Sequence, residues 1–128
     1  MTITIAVANQ KGGCAKTTTT VNLAAALAEL KYKVLLIDLD PQANASQWLG
    51  AATDTPGVFD LFTTKVAVAS LLVDTNTEGL SLLAGSRSLA SIEKALAGEL
   101  AVETRLKRRL AALESLAFDY VLIDTAPT

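Results

Sequence analysis

The chain has no histidine and a single cysteine, Cys14. These absences exclude histidine-based catalytic triads, Cys/His zinc clusters and any internal disulfide. Aromatic residues are scarce, at 5%. The core must therefore come from Ala, Val, Leu and Ile, a composition that suits buried parallel strands flanked by helices. No segment approaches the ~18 consecutive apolar residues of a membrane-crossing helix. The first residues carry no basic group ahead of their apolar stretch, so they do not read as a secretory signal. A net charge of −2 gives no global attraction to nucleic acid or anionic lipid. What remains is a chain of 128 residues, 51% apolar and 19% charged, expected to form one soluble cytoplasmic domain with no membrane partner.

Along the chain, strands alternate with helices. Residues 3–8 are β-rich and end in a glycine-bearing turn over 9–15. Residues 16–30 are Ala- and Leu-rich, with Leu23, Leu27 and Leu30 at helical spacing. Residues 33–39 form a nearly continuous apolar run, as expected of a strand covered on both faces. A short helix over 41–49 is followed by a loop over 50–57. Short helices are expected over 58–62 and 66–73, a third strand over 80–84, and helical pieces over 88–97 and 103–117. Leu106, Leu110, Leu113 and Ala117 mark the buried stripe of the last piece. The fourth strand, 120–123, runs into Asp124. The pattern predicts an α/β fold with a mostly parallel sheet and helices on both faces.

The segment Lys11-Gly12-Gly13-Cys14-Ala15-Lys16-Thr17-Thr18 lies between the first strand and the first helix. Unpaired N–H groups and the helix dipole make such a junction an anion site. Gly12 and Gly13 let the backbone approach phosphate oxygens, Lys16 can reach the β- and γ-phosphates, and the Thr17 hydroxyl can ligate Mg²⁺. Four consecutive threonines, 17–20, are poor helix formers where that helix must begin. A bound phosphate and metal would account for them. Three aspartates stand at strand ends. Asp38 and Asp40, two apart, are expected on one face, toward the loop. Asp40 followed by Pro41 also suits a helix N-cap. Asp124 closes the strand Tyr120-Val121-Leu122-Ile123.

The loop lacks the standard G-x-x-x-x-G-K-[ST] pattern, since Gln10 and Ala15 stand where glycine is required. It resembles instead the deviant Walker A motif, K-G-G-x-x-K-[ST], of the ParA/MinD family of P-loop NTPases, and specifically the ParA/Soj-type partition ATPases. Asp38-Leu39-Asp40-Pro41-Gln42-Ala43-Asn44 is similar to that family's switch I, and Asp124-Thr125-Ala126-Pro127 to its Walker B aspartate and switch II. The resemblance covers the chain, specifically at 8–18, 34–46 and 119–127 and loosely over 50–115. It implies ATP and Mg²⁺ as cofactors and slow ATP hydrolysis serving plasmid or chromosome partition. It further implies a homodimer formed on ATP, a centromere-binding ParB-like partner, and non-specific DNA binding in longer members. Lys11 would cross the dimer interface to the partner's phosphates, and Asp40 would position the attacking water. Asp124 would hold Mg²⁺ through water, with Asp38 near the metal's water shell.

Two relatives of the same loop supply alternatives: a MinD-like spatial regulator, or an amide ligase of the cobyrinic acid synthase type. Nitrogenase iron proteins share the loop but need cysteines for an iron–sulfur cluster, and Cys14 stands alone. Cys14 reads as a small filler at a variable loop position, though lysines on either side would favour its thiolate. The basic group Arg105, Lys107, Arg108 and Arg109 shares its helix with Glu103 and Glu114 and reads as a solvated face. The chain is expected to be an incomplete ATPase domain, ending soon after the Walker B strand.

Overall fold

A continuous apolar run can be buried only if both its faces are covered, and the strand Val34–Asp38 (β2) is buried at all five positions. In the computed structural model, which describes residues 2–7, 13–95 and 99–125, this strand lies at the centre of a five-stranded sheet. The other strands are β1 (Ile3–Val7), β3 (Val73–Asp74), β4 (Leu80–Leu83) and β5 (Tyr120–Asp124). Their order is β1-β5-β2-β4-β3. All pairings are parallel except β3 with β4. The last strand of the sequence is thus inserted between the first two, with Asp38 in register with Asp124.

Helices cover both faces. On one side α1 (Gly13–Glu29) and α2 (Asn44–Trp48) pack Ala24, Ala28, Ala45 and Leu49 against Val34, Leu36, Leu82 and Leu122. On the other lie α3 (Val58–Thr63), α4 (Val68–Leu71), α5 (Leu89–Ala95) and α6 (Glu99–Leu110), the last tightening into a 3₁₀ turn over Ala111–Leu116. Their Val58, Leu61, Leu89, Ile92, Leu106 and Leu113 close over Leu35, Ile37, Leu83 and Val121. Alternate residues of the same strands therefore feed two separate cores, which is the period of two at work.

Several expectations change in detail. The buried stripe of α1 runs through Thr17, Thr20, Ala24 and Ala28, while Leu30 is 68% exposed beyond the helix end. Small side chains on that stripe let the helix lie close on the sheet; larger leucines flank it. The helix expected over 66–73 is only α4, and Val73 and Asp74 instead pair antiparallel with Leu82 and Ser81. The piece expected over 103–117 loses α-helical form after Leu110, and its end, Ala117, is exposed at φ 56°. Arg109 is only half-exposed and is bound to the protein. It donates to the carbonyls of Leu61 at 3.1 Å and Val66 at 2.6 Å, tying α6 to the end of α3. Arg105, Lys107 and Arg108 are exposed as expected.

Glycine is required where two segments meet. A Cβ on Gly57 would lie 2.1 Å from the Ala84 carbonyl oxygen. Only glycine permits the parallel bridge that Gly57 makes with Ala84. Among the described residues, no helix is long and apolar enough to cross a membrane.

Candidate functional site

The C-terminal ends of β5 and β2 face the start of α1, as parallel strands and crossover helices require. There Lys16 and Thr17, from the opening turns of α1, meet Asp124 from the end of β5. The Lys16 ammonium lies 2.8 Å from Asp124 Oδ1, with both side chains fully buried. The Thr17 hydroxyl donates to Asp124 Oδ2 at 3.0 Å. One carboxylate thus engages two neighbouring side chains more than a hundred residues away in sequence. The first threonine after the lysine is used at the site. Thr20 instead donates to the Lys16 carbonyl within the helix, at 2.8 Å. Thr18 is half-buried next along α1.

Asp38, fully buried, turns both oxygens toward its own chain. Oδ1 accepts the Asp40 N–H at 3.1 Å; Oδ2 accepts the Ser46 N–H at 3.0 Å and the Ser46 hydroxyl at 2.6 Å. Burial pushes its carboxyl up from 3.8 to about 6, against the hydrogen bonds from Ser46 and Asp40, and the neighbouring Asp124 charge adds to the rise. Asp40 lies beyond the strand end, so alternation along β2 does not govern it. It is buried, and its Oδ1 accepts the Gln42 N–H at 2.9 Å while its carbonyl accepts from Ala43. That is an Asx-type turn. The expected N-cap role is not what forms: α2 begins at Asn44, capped by Ala43 at φ 55°.

Of the residues singled out in the sequence, Lys16, Thr17 and Asp124 come together, and Asp38 sits on the adjoining rung. Gly13, Cys14 and Ala15 open α1 in backbone. Lys11 and Gly12 lie outside the described residues. Two residues went unread. Ser46 joins the Asp38 network, and its oxygen also accepts the Gly85 N–H at 2.9 Å. A Cβ on Gly85 would fall 2.8 Å from the Asp38 carbonyl oxygen and 2.9 Å from its Cγ. A hydroxyl in the first turn of a helix, and a glycine just after a strand, were the available signals.

Among the described residues no three acidic or thiol side chains converge as a ready-made metal cage. What the chain offers is mixed: one buried ammonium, one hydroxyl and one carboxylate. An ammonium suits a phosphate, and hard oxygen donors suit a Mg²⁺ ion that keeps water and phosphate ligands. The donor set fits both groups.

The AAA domain family model (AAA_31) matches residues 2–128. The chain is 40% identical over 126 residues to the sporulation initiation inhibitor protein Soj of Bacillus subtilis, covering 97% of this chain and 49% of that protein. It is 36% identical to the chromosome partitioning protein ParA of Myxococcus xanthus, covering 97% of this chain and 44% of that one. Among solved structures, it resembles a cobyrinic acid a,c-diamide synthase from Mycobacterium smegmatis with bound ADP and magnesium. That match has a TM-score of 0.89 and 43% identity, over all of this chain and 52% of the other. The sheet and its covering helices are those of P-loop NTPases. The chain spans about half the length of the curated relatives it matches.

Proposed function

The chain belongs to the AAA domain family, and on that premise we propose that it binds ATP with Mg²⁺ and slowly hydrolyses it, as the nucleotide-binding portion of a ParA-like partition ATPase. The observation that carries this reading is the meeting of Lys16, Thr17 and Asp124 at the mouth of the sheet. The likeness to Soj and ParA supports the partition role, and the ADP and magnesium of the Mycobacterium smegmatis structure support the ligands.

In this reading the segment Lys11 to Thr18 cradles the phosphates, with Gly12, Gly13, Cys14, Ala15 and Thr18 offering backbone N–H groups. Lys16 brings its charge to the β- and γ-phosphate oxygens. Thr17 and Asp124 would hold Mg²⁺, with Asp38 near its water shell; bound there, the ion would neutralise charge on the phosphate oxygens. Asp40 orients the attacking water. Lys11 of a second copy completes the site across an ATP-dependent homodimer. Catalysis is then positioning and charge stabilisation rather than covalent chemistry. A cytoplasmic location, a ParB-like partner and non-specific DNA contact by the longer relatives complete the proposal.

Calorimetry of ATP–Mg²⁺ with Lys16→Ala tests the site: loss of measurable affinity is expected, and unchanged affinity would overturn it. A second reading, an amide ligase, is favoured by the similarity to the diamide synthase. ATP turnover that requires a carboxylate acceptor and an amide donor supports the ligase. Dimerisation driven by ATP alone supports the partition ATPase.

A further inference from the structure

The end of β2 is braced from the end of β4. Asp38 is the last residue of β2 and is fully buried. Its two oxygens serve different segments: Oδ1 accepts the Asp40 N–H at 3.1 Å, and Oδ2 accepts the Ser46 hydroxyl at 2.6 Å and the Ser46 N–H at 3.0 Å. The Ser46 oxygen accepts in turn from the Gly85 N–H at 2.9 Å. A continuous path therefore runs from the backbone beyond β4, through Ser46 and Asp38, to the backbone of Asp40. Resting on the reading above, in which Asp40 orients the attacking water, we infer that Ser46, backed by Gly85, is a positioning residue for that step and acts on Asp40 through Asp38.

The physical reason lies in what holds Asp40. It stands beyond the strand end, and the sheet's last grip on the segment is one residue earlier, where the Leu39 N–H donates to the Asp124 carbonyl at 2.8 Å. Asp40's own turn bonds, to Gln42 and Ala43, tie it only to residues that move with it. Its N–H bond to Asp38 ties it back to β2, and that bond is only as firm as the Asp38 carboxylate. A carboxylate turns about its Cβ–Cγ bond unless both oxygens are held. Ser46 holds the second one. With Gly85 donating to the Ser46 oxygen, the single hydroxyl proton is left for Asp38, and consecutive hydrogen bonds polarise and strengthen one another. Close contact acts in the same direction. A Cβ on Gly85 would lie 2.8 Å from the Asp38 carbonyl oxygen, 2.9 Å from its Cγ and 3.0 Å from the Asp40 carbonyl oxygen. Lys16 and Thr17 are held separately, by Asp124. Loss of the Ser46 hydroxyl therefore loosens Asp40 and leaves the phosphate-binding groups in place.

The experiment measures ATP–Mg²⁺ affinity by calorimetry and phosphate release at saturating ATP–Mg²⁺ on the same 128-residue chain, with the folding of each variant checked by circular dichroism. Ser46→Ala should keep its affinity within about twofold of the wild type and release phosphate about tenfold or more slowly, because a small misplacement of a reacting group costs rate more than binding. Ser46→Thr restores the hydroxyl and should recover most of the rate. Turnover by Ser46→Ala at the wild-type rate overturns the inference. Affinity lost in parallel with turnover overturns it too, since Ser46 would then serve only the fold. A Ser46→Thr as slow as Ser46→Ala has the same meaning. Should Ser46→Ala not fold, Ser46→Cys takes its place under the same criteria, being close in size and a weaker donor. Failure of the underlying reading looks different. If the wild type releases no phosphate, if Asp40→Ala releases it normally, or if Lys16→Ala keeps wild-type affinity, the hydrolytic site itself is wrong and the inference falls with it.

Discussion

The Ser46 hydroxyl donates to Asp38 Oδ2 at 2.6 Å while its oxygen accepts the Gly85 N–H at 2.9 Å. A serine on α2 thus joins the end of β2 to Gly85, two residues past the end of β4. Ser46→Ala takes one donor from a buried carboxylate and the acceptor from a backbone N–H. The expected cost is about 1–3 kcal/mol in urea unfolding. Ser46→Thr keeps the hydroxyl and should recover most of it. Equal stability of Ser46→Ala and wild type would show that the hydrogen bonds contribute nothing net.

Asp38 should make stability depend on pH. Its carboxyl is raised from 3.8 to about 6 in the folded chain, mainly by burial. The folded state therefore holds the proton more tightly than the unfolded one. The stabilisation is fully present below about pH 3.8, declines as pH rises, and is lost above about pH 6. The swing is about 3 kcal/mol. Asp38→Asn should flatten that slope. Urea midpoints at pH 4 and pH 7 measure it, and an unchanged slope in the variant would assign the titration to another group.

Asp40→Ala should bind ATP–Mg²⁺ as the wild type does and fail to hydrolyse it. Binding and turnover measured on the same preparation decide the matter. Loss of both together would mean that the turn Asp40 makes with Gln42 matters more than any water it orients.

Arg109→Met should destabilise the fold by about 1–3 kcal/mol, since its guanidinium serves two carbonyls at the end of α3 and beyond. Arg105→Ala and Lys107→Ala, both exposed, should stay within about 0.5 kcal/mol. ATP affinity should be unchanged in all three. Weakened nucleotide binding in Arg109→Met would reveal coupling between α6 and the site.

Much of this was legible because it is written locally. A glycine pair between an apolar strand and a helix makes a candidate anion site, and Lys16 and Thr17, which follow it on α1, do meet Asp124. The unbroken run Val34-Leu35-Leu36-Ile37 announced a strand buried on both faces, hence helices on both sides of the sheet. Expectations failed where a residue's state is set by partners distant in sequence. Val73 and Asp74 extend because Leu82 and Ser81 offer an antiparallel edge. Leu30 is exposed because the buried stripe of α1 is set by how closely the helix lies on the sheet, not by hydrophobicity alone. Arg109 is partly withdrawn from solvent because Leu61 of α3 and Val66 beyond it present it with carbonyls.

The sequence by itself determined the α/β alternation and the candidate lysine, threonine and acids, since periodicity, turn residues and strand ends are properties of short segments. Only the tertiary structure decided which acid meets the lysine. Placing β5 between β1 and β2 sets Asp124 against Lys16 and Thr17, whereas Asp38, one strand over, hydrogen-bonds to Asp40 and Ser46. Strand order is a long-range choice made by the burial of whole faces, and no short window of sequence contains it.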